Sequence, residues 1–167
     1  MDTLRRFYRE IWTVDFEFYA PPGERPTPLC LAAHELLTRR LHTVWLGGTA
    51  SASLPWSSEP DTLIVAYYAS AEMSCYLALG WPFPSRLLDL YAEFRALTSG
   101  RSVPCGHGLL GALAYFGLEG LAALEKEDMQ HLAMRGGPYS TAERDALMAY
   151  CQTDVDALAH LLPAMGY

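Results

Sequence analysis

The nine residues Ile11-Trp12-Thr13-Val14-Asp15-Phe16-Glu17-Phe18-Tyr19 constrain the fold of this chain more than any other stretch. They read as an apolar strand that carries two carboxylates. Side chains at i and i+2 point to the same face of a strand. Asp15 and Glu17 therefore project together, while Val14, Phe16 and Phe18 face the other way and are core candidates. Two adjacent buried carboxylates repel and are costly unless a cation neutralises them. A solvated edge strand and a pair of divalent-metal ligands both satisfy this spacing.

The rest of the chain limits the choice. Its 167 residues suffice for one domain with a sizeable core, expected over 1–167. Half the residues are apolar (51%) and 19% are charged, which argues against disorder. A net charge of −7 argues against a protein that coats nucleic acid, which needs a basic surface to displace counterions. An enzyme acting on nucleic acid is still compatible, because acidic metal ligands count against the total until metal binds. Cys30, Cys75, Cys105 and Cys151 are widely spaced without a C-x-x-C pair, as expected for buried thiols in a reducing compartment. The chain shows no apolar run of membrane-span length, and its charged start (Met1 to Glu10) lacks a signal-peptide core. A cytoplasmic location without membrane partners is the expectation.

Ile11 to Tyr19 reads as the first strand, ended by Ala20-Pro21-Pro22-Gly23. Pro28 to Leu37 and Leu41 to Leu46 read as the second and third strands, and short connections predict an antiparallel meander. A Ser/Pro-rich loop follows over Thr49 to Pro60. Thr62 to Tyr68 is apolar on both faces, as a buried strand in a mixed sheet is. A helix is expected from about Ser70 to Leu79, stopped by Gly80, Pro82 and Pro84. Leu87 to Leu97 holds a short strand or a helix containing Asp89 and Glu93. Beyond Gly108 the pattern is helical: Leu109 to Phe116, Leu121 to Met134 and Ser140 to Leu162. Ser140-Thr141-Ala142-Glu143 opens the last helix as a capping box. Strands, a crossover and several helices indicate an α/β domain with a mixed sheet.

In the last helix Tyr150 and Asp154 lie four residues apart and share a face. They sit among Leu147, Met148, Cys151 and Val155, so either they face the core and need partners or they lie on a partly exposed face.

Asp-x-Glu on the first strand, an acid after a middle strand and Tyr-x-x-x-Asp on the last helix together resemble the DEDDy (DnaQ-like) 3′–5′ exonucleases. These are the ribonuclease-H-like proofreading domains of family A and B DNA polymerases, with ribonuclease D. Gly80-Trp81-Pro82 followed by Leu88-Asp89-Leu90 also resembles the segment after that family's second motif. The likeness is nearest to exonuclease domains of phage-type family A polymerases. It implies a ribonuclease-H-like fold, with an antiparallel meander plus parallel strands flanked by helices. It also implies two divalent cations, Mg²⁺ or Mn²⁺, held by Asp15, Glu17, Asp154 and an acid of the second motif. In that scheme Asp15 bridges both metals, Glu17 and Asp154 complete the tighter site, and Tyr150 orients the attacking water. A phenol with a pKa of about 10 is a poor base at neutral pH, so Tyr150 is assigned no proton abstraction.

The second motif departs from the pattern. The family has Asn-x-x-Phe-Asp, whereas this chain reads Tyr68-Ala69-Ser70-Ala71-Glu72-Met73-Ser74. Glu72 is the nearby acid, one position before a simple alignment places the aspartate. The alternatives are Asp89 as the acid, or a weakened second metal site. For Asp89 itself a supporting or capping role is the favoured reading. His107 reads as part of a helix N-terminal turn, and His34 and His42 as structural or surface residues. Lys126, Glu127 and Asp128 read as a solvated helix face, and Arg135 in Arg135-Gly136-Gly137-Pro138 as a possible phosphate contact.

The resulting expectation is a 3′–5′ exonuclease that releases nucleoside 5′-monophosphates from single-stranded or frayed DNA ends, with RNA second. Low basic content points to a short footprint or to tethering by a partner such as a polymerase. The rival readings are a catalytically weakened nucleic-acid-binding module and a small-molecule phosphoesterase using the same metals. Glu72→Gln is expected to cut metal-dependent turnover and leave thermal stability nearly unchanged.

Overall fold

A computed structural model describes residues 3–47, 53–118 and 123–167. The expected loop over 49–60 lies outside the described residues as far as 52. Gly48, the expected helix start at Leu121 and the side chain of Lys126 also lie outside them. Among the described residues, five strands form one sheet: β1 (Glu10–Tyr19), β2 (Thr27–Glu35), β3 (Arg40–Trp45), β4 (Thr62–Ala66) and β5 (Leu87–Asp89). Their order is β3-β2-β1-β4-β5. The meander β1-β2-β3 is antiparallel, whereas β4 runs parallel to β1 and β5 parallel to β4. Helices α1 (Ala69–Leu79), α2 (Leu90–Leu97), α3 (Leu109–Tyr115), α4 (Ala123–Met134) and α5 (Thr141–Ala164) flank the sheet. This is the mixed α/β architecture expected from the sequence, with β1 in the centre. Among the described residues no helix is long and apolar enough to cross a membrane.

Alternation along β1 sorts the core into two layers. Trp12, Val14 and Phe16 join Leu31, Ile64, Ala69, Cys75 and Tyr76 on the α1 side. Ile11 belongs to the other layer, with Val65, Phe94, Leu113, Leu158 and Leu162. Leu29, Cys30 and Ala32 of β2 pack on Leu147, Cys151 and Val155 of α5. The odd-numbered side of β1 therefore faces α5, and Asp15 and Glu17 lie on that side.

Several boundaries differ from expectation for local reasons. β2 ends at Glu35 because the Glu35 carboxylate accepts hydrogen bonds from Leu37 N, Thr38 N and Thr38 Oγ1 and closes the turn. β4 stops at Ala66 and leaves Tyr67 and Tyr68 beyond the strand, since Tyr68 adopts a left-handed backbone (φ 65°) that no strand continues. The segment 87–97 contains both alternatives, strand β5 and then helix α2, with Asp89 as the cap between them. α5 begins with the expected capping box, Ser140 accepting from Glu143 N and Glu143 accepting from Ser140 N. Cys30, Cys75 and Cys151 are buried thiols, but Cys105 is exposed, because it lies in the loop before α3 and on no element that packs inward.

Candidate active site

Only the first half of β1 is fully enclosed. Residues 11–14 are buried, whereas Asp15 and Glu17 are half-exposed where the strand emerges. A register shift against β2 falls between Glu17 and Phe18, the kind of bulge that re-aims side chains. α5 is tied to this end of β1 at two points. Thr13 Oγ1 donates to Val155 O at 3.0 Å, and the Cys151 thiol donates to Asp15 O at 3.2 Å. These contacts place Tyr150 and Asp154, one helical turn apart, against Asp15 and Glu17.

Glu72 arrives from the first turn of α1, directly beyond the end of β4. It is 3% exposed, and its Oε2 has no hydrogen-bond partner. Burial pushes its carboxyl well above the usual range, and the charges of Asp15, Glu17 and Asp154 push the same way, against a hydrogen bond from the Phe16 backbone. Burial raises the Cys75 thiol too, with Glu72, Asp15 and Glu17 adding to it. The Tyr150 phenol is raised by burial first, then by Asp154, Glu17 and Asp15, and it hydrogen-bonds the Asp154 carboxylate. Tyr150 therefore keeps its proton at neutral pH and acts as a hydrogen-bonding group.

Asp15, Glu17, Glu72, Tyr150 and Asp154 line one open pocket of about 350 Å³. Asp89 does not line it. Asp89 caps α2, and its Oδ1 accepts from Tyr68 N and Tyr91 N, both at 3.0 Å. The structure thus brings Glu72, and not Asp89, to the Asp-x-Glu pair. Among the described residues no three His, Cys, Asp or Glu side chains are already gathered as a metal-binding group. Like charges without a counterion stand apart, so these carboxylates share a pocket and do not meet at a point. Their chemistry nonetheless suits a hard divalent cation: all are oxygen donors, and Glu72 has a buried oxygen that nothing satisfies.

The remaining candidates fall elsewhere. His107 lies in the turn before α3, with Nε2 3.3 Å from Thr98 Oγ1. His34 pairs with Asp156 at 3.1 Å, and His42 is partly buried on β3, with burial lowering its pKa. Glu127 and Asp128 are exposed, as expected. Arg135 lies at the surface, engaged by Glu143 at 2.6 Å and by Pro138 O at 2.8 Å, and it does not line the acid pocket. Gln130, Ala133 and Met134 of α4 form an unforeseen wall of the pocket. Their i, i+3, i+4 spacing marks a shared helix face, but nothing in the sequence says which pocket that face meets.

No protein-family model matches the chain, and no curated protein matches it in sequence. Solved structures do resemble it. An apo form of a nuclease superimposes with a TM-score of 0.66 at 11% identity, covering 98% of this chain and 76% of that one. The catalytic core of RRP6 from Trypanosoma brucei gives a TM-score of 0.61 at 13% identity over 96% of this chain. RNase D of Escherichia coli, an exoribonuclease involved in structured RNA processing, gives 0.59 at 16% identity over 98% of this chain. The chain spans 42% of the RRP6 chain and 41% of the RNase D chain. At such identities the likeness establishes the fold: a mixed sheet flanked by helices, as in ribonuclease-H-like exonuclease domains.

Proposed function

We propose that this chain is a metal-dependent 3′–5′ exonuclease that removes nucleoside 5′-monophosphates from single-stranded or frayed DNA ends, with RNA as the other substrate. The observation that carries this reading is Glu72, a buried carboxyl with an unsatisfied oxygen, set against Asp15, Glu17 and Asp154 in one open pocket. Asp15, Glu17, Glu72 and Asp154 would hold the cations, two of Mg²⁺ or Mn²⁺. Bound there, the cations would polarise the scissile phosphate and lower the pKa of a bound water.

The protein's own groups supply position. The protonated Tyr150 hydroxyl beside Asp154 orients a water, and the two ties between α5 and β1 hold that hydroxyl against the strand acids. The pocket volume sits at the small end of ligand sites, about 300–1,000 Å³, which suits a terminal nucleotide better than a duplex. A chain of net charge −7 gains little from counterion release. A short footprint follows, and tethering by a partner such as a polymerase would compensate for it.

The test is a 5′-labelled oligonucleotide, DNA or RNA, incubated with Mg²⁺ or Mn²⁺ beside the Asp15→Ala and Asp154→Ala variants. A one-nucleotide ladder that both variants abolish is expected. No ladder with either metal, or equally active variants, overturns the catalytic reading; binding without cleavage would favour the nucleic-acid-binding module. Cleavage of dinucleotides in preference to longer oligomers would instead favour a small-molecule phosphoesterase.

A further inference from the structure

A second pocket of about 270 Å³ shares Asp15, Tyr67, Gln130 and Asp154 with the first and continues it toward Tyr68 and Tyr91. Tyr68 is anomalous in two respects. Its backbone is left-handed (φ 65°, ψ 54°), a conformation rarely adopted by bulky residues and characteristic of functional sites. The residue is also 53% exposed, so the strained backbone gains little burial in return.

The strain is held in place by one atom. Asp89 Oδ1 accepts the backbone N–H of both Tyr68 and Tyr91 at 3.0 Å, which fixes the two residues relative to each other. Their rings meet edge to face at 5.0 Å and 73°. Tyr67 packs on Tyr91 from another direction at 5.9 Å, and its hydroxyl donates to the His107 carbonyl. The Arg95 guanidinium lies 5.9 Å from the Tyr91 ring centre. Tyr91 is thus hemmed in, whereas Tyr68 presents its ring to solvent beside the carboxylates.

We propose that Asp89 clamps Tyr68 and Tyr91 into an aromatic platform on which an unpaired base near the 3′ end of a nucleic acid stacks. The proposal rests on the nuclease reading above and narrows its substrate to single-stranded ends of any sequence. Every base has a π-face, so stacking on an aromatic ring is sequence-tolerant. It also supplies the affinity that an acidic protein cannot draw from phosphates. A base paired inside a duplex has both faces covered by its neighbours and cannot use the platform, so bases behind the terminal one reach it only when the end is unpaired. Because the platform is preorganised, its own side chains add little ordering cost to binding.

Tyr68→Gly is the informative variant, because glycine adopts this backbone without penalty and the fold should hold. Tyr68→Trp keeps an aromatic face. Affinity for a fluorescent oligothymidylate is measured by anisotropy with Ca²⁺, and KM and kcat are measured with Mg²⁺. Tyr68→Gly should weaken affinity and raise KM roughly 5- to 150-fold, with kcat within about twofold, and Tyr68→Trp should restore both. An oligonucleotide abasic at its terminal two positions should lose the same factor with the wild type and nothing further with Tyr68→Gly. Unchanged affinity in Tyr68→Gly, or a loss that Tyr68→Trp does not reverse, overturns the platform and leaves the nuclease reading standing. Absence of cleavage by the wild type removes the nuclease reading. In that event wild-type affinity that Tyr68→Gly loses still supports the platform, and no wild-type affinity overturns it.

Discussion

Replacing Glu72 by Gln should make the metal-free protein more stable, not less. The carboxyl is 3% exposed, its Oε2 has no hydrogen-bond partner, and Asp15, Glu17 and Asp154 all act on it with like charge. Like charges sharing one pocket cost on the order of 3 kcal/mol at an effective dielectric of about 20, and the raised carboxyl limits that cost by holding its proton. A buried polar atom left unsatisfied costs about 1–3 kcal/mol more. Glutamine keeps the length and an acceptor for the Phe16 backbone, removes the charge, and turns an N–H toward the neighbouring carboxylates. Recovering even half of the repulsion amounts to about 1.5 kcal/mol, or roughly 3–6 °C in Tm for a chain of this size. Thermal unfolding in EDTA measures this directly. Saturating Mg²⁺ or Mn²⁺, at about a hundred times Kd, should then raise the wild type by about 2.7 kcal/mol and the variant by less. A Tm for Glu72→Gln equal to or below wild type in EDTA would refute the reasoning, because Glu72 would then carry no repulsion for a cation to relieve. The expectation of unchanged stability, drawn from Glu72 as a metal ligand, took no account of its burial.

Three other outcomes can be checked on the same protein. Tyr150→Phe removes the hydroxyl that orients water and should lower kcat on the order of 10²-fold while KM for the oligonucleotide stays close to wild type; an unchanged kcat would remove Tyr150 from the chemistry. Glu35 is buried, yet its hydrogen bonds from Thr38 Oγ1, Ile11 N, Thr38 N and Leu37 N outweigh burial and lower its pKa below 4.5. Its stabilisation is therefore complete above pH 4.5 and lost as pH falls through the folded value. Glu35→Gln should cost about 2–3 kcal/mol at pH 7, and the gap to wild type in urea titrations should shrink below pH 4.5; a pH-independent gap would count against it. Gly111→Ala would place a Cβ 2.1 Å from Gly106 O and 2.6 Å from Cys105 O, so α3 or its preceding loop must shift. A loss of about 1–3 kcal/mol is expected, and a neutral substitution would show that the loop yields freely.

The meander, the buried parallel strand and the capped final helix were legible because each is written in local periodicity. Val14, Phe16 and Phe18 alternate with Thr13, Asp15 and Glu17; the structure packs the first three into the α1-side core and turns Thr13 to α5, while Phe16 and Phe18 also reach the edge of the acid pocket. The Asp89 alternative could not be settled from the chain alone, since Glu72 follows one strand closely and Asp89 ends another. Only the parallel pairing of β4 with β1 sets the first turn of α1 beside Phe16, whereas the Asp89 cap is local, accepting from Tyr91 N two residues on. The Arg135 pairing was illegible for a similar reason: Glu143 lies eight residues on and meets it only once α4 and α5 pack.

By itself the sequence determined which side chains share a face, where helices begin and end, and that Asp15 with Glu17 and Tyr150 with Asp154 are adjacent pairs. These follow from strand and helix periods, which need no knowledge of the rest of the molecule. The tertiary structure alone decided that the two pairs meet each other and that Glu72 is buried with them. It also decided that Tyr68 is held in a strained backbone by a carboxylate 21 residues away. Those relations depend on strand order and helix docking, and no local repeat in the chain encodes them.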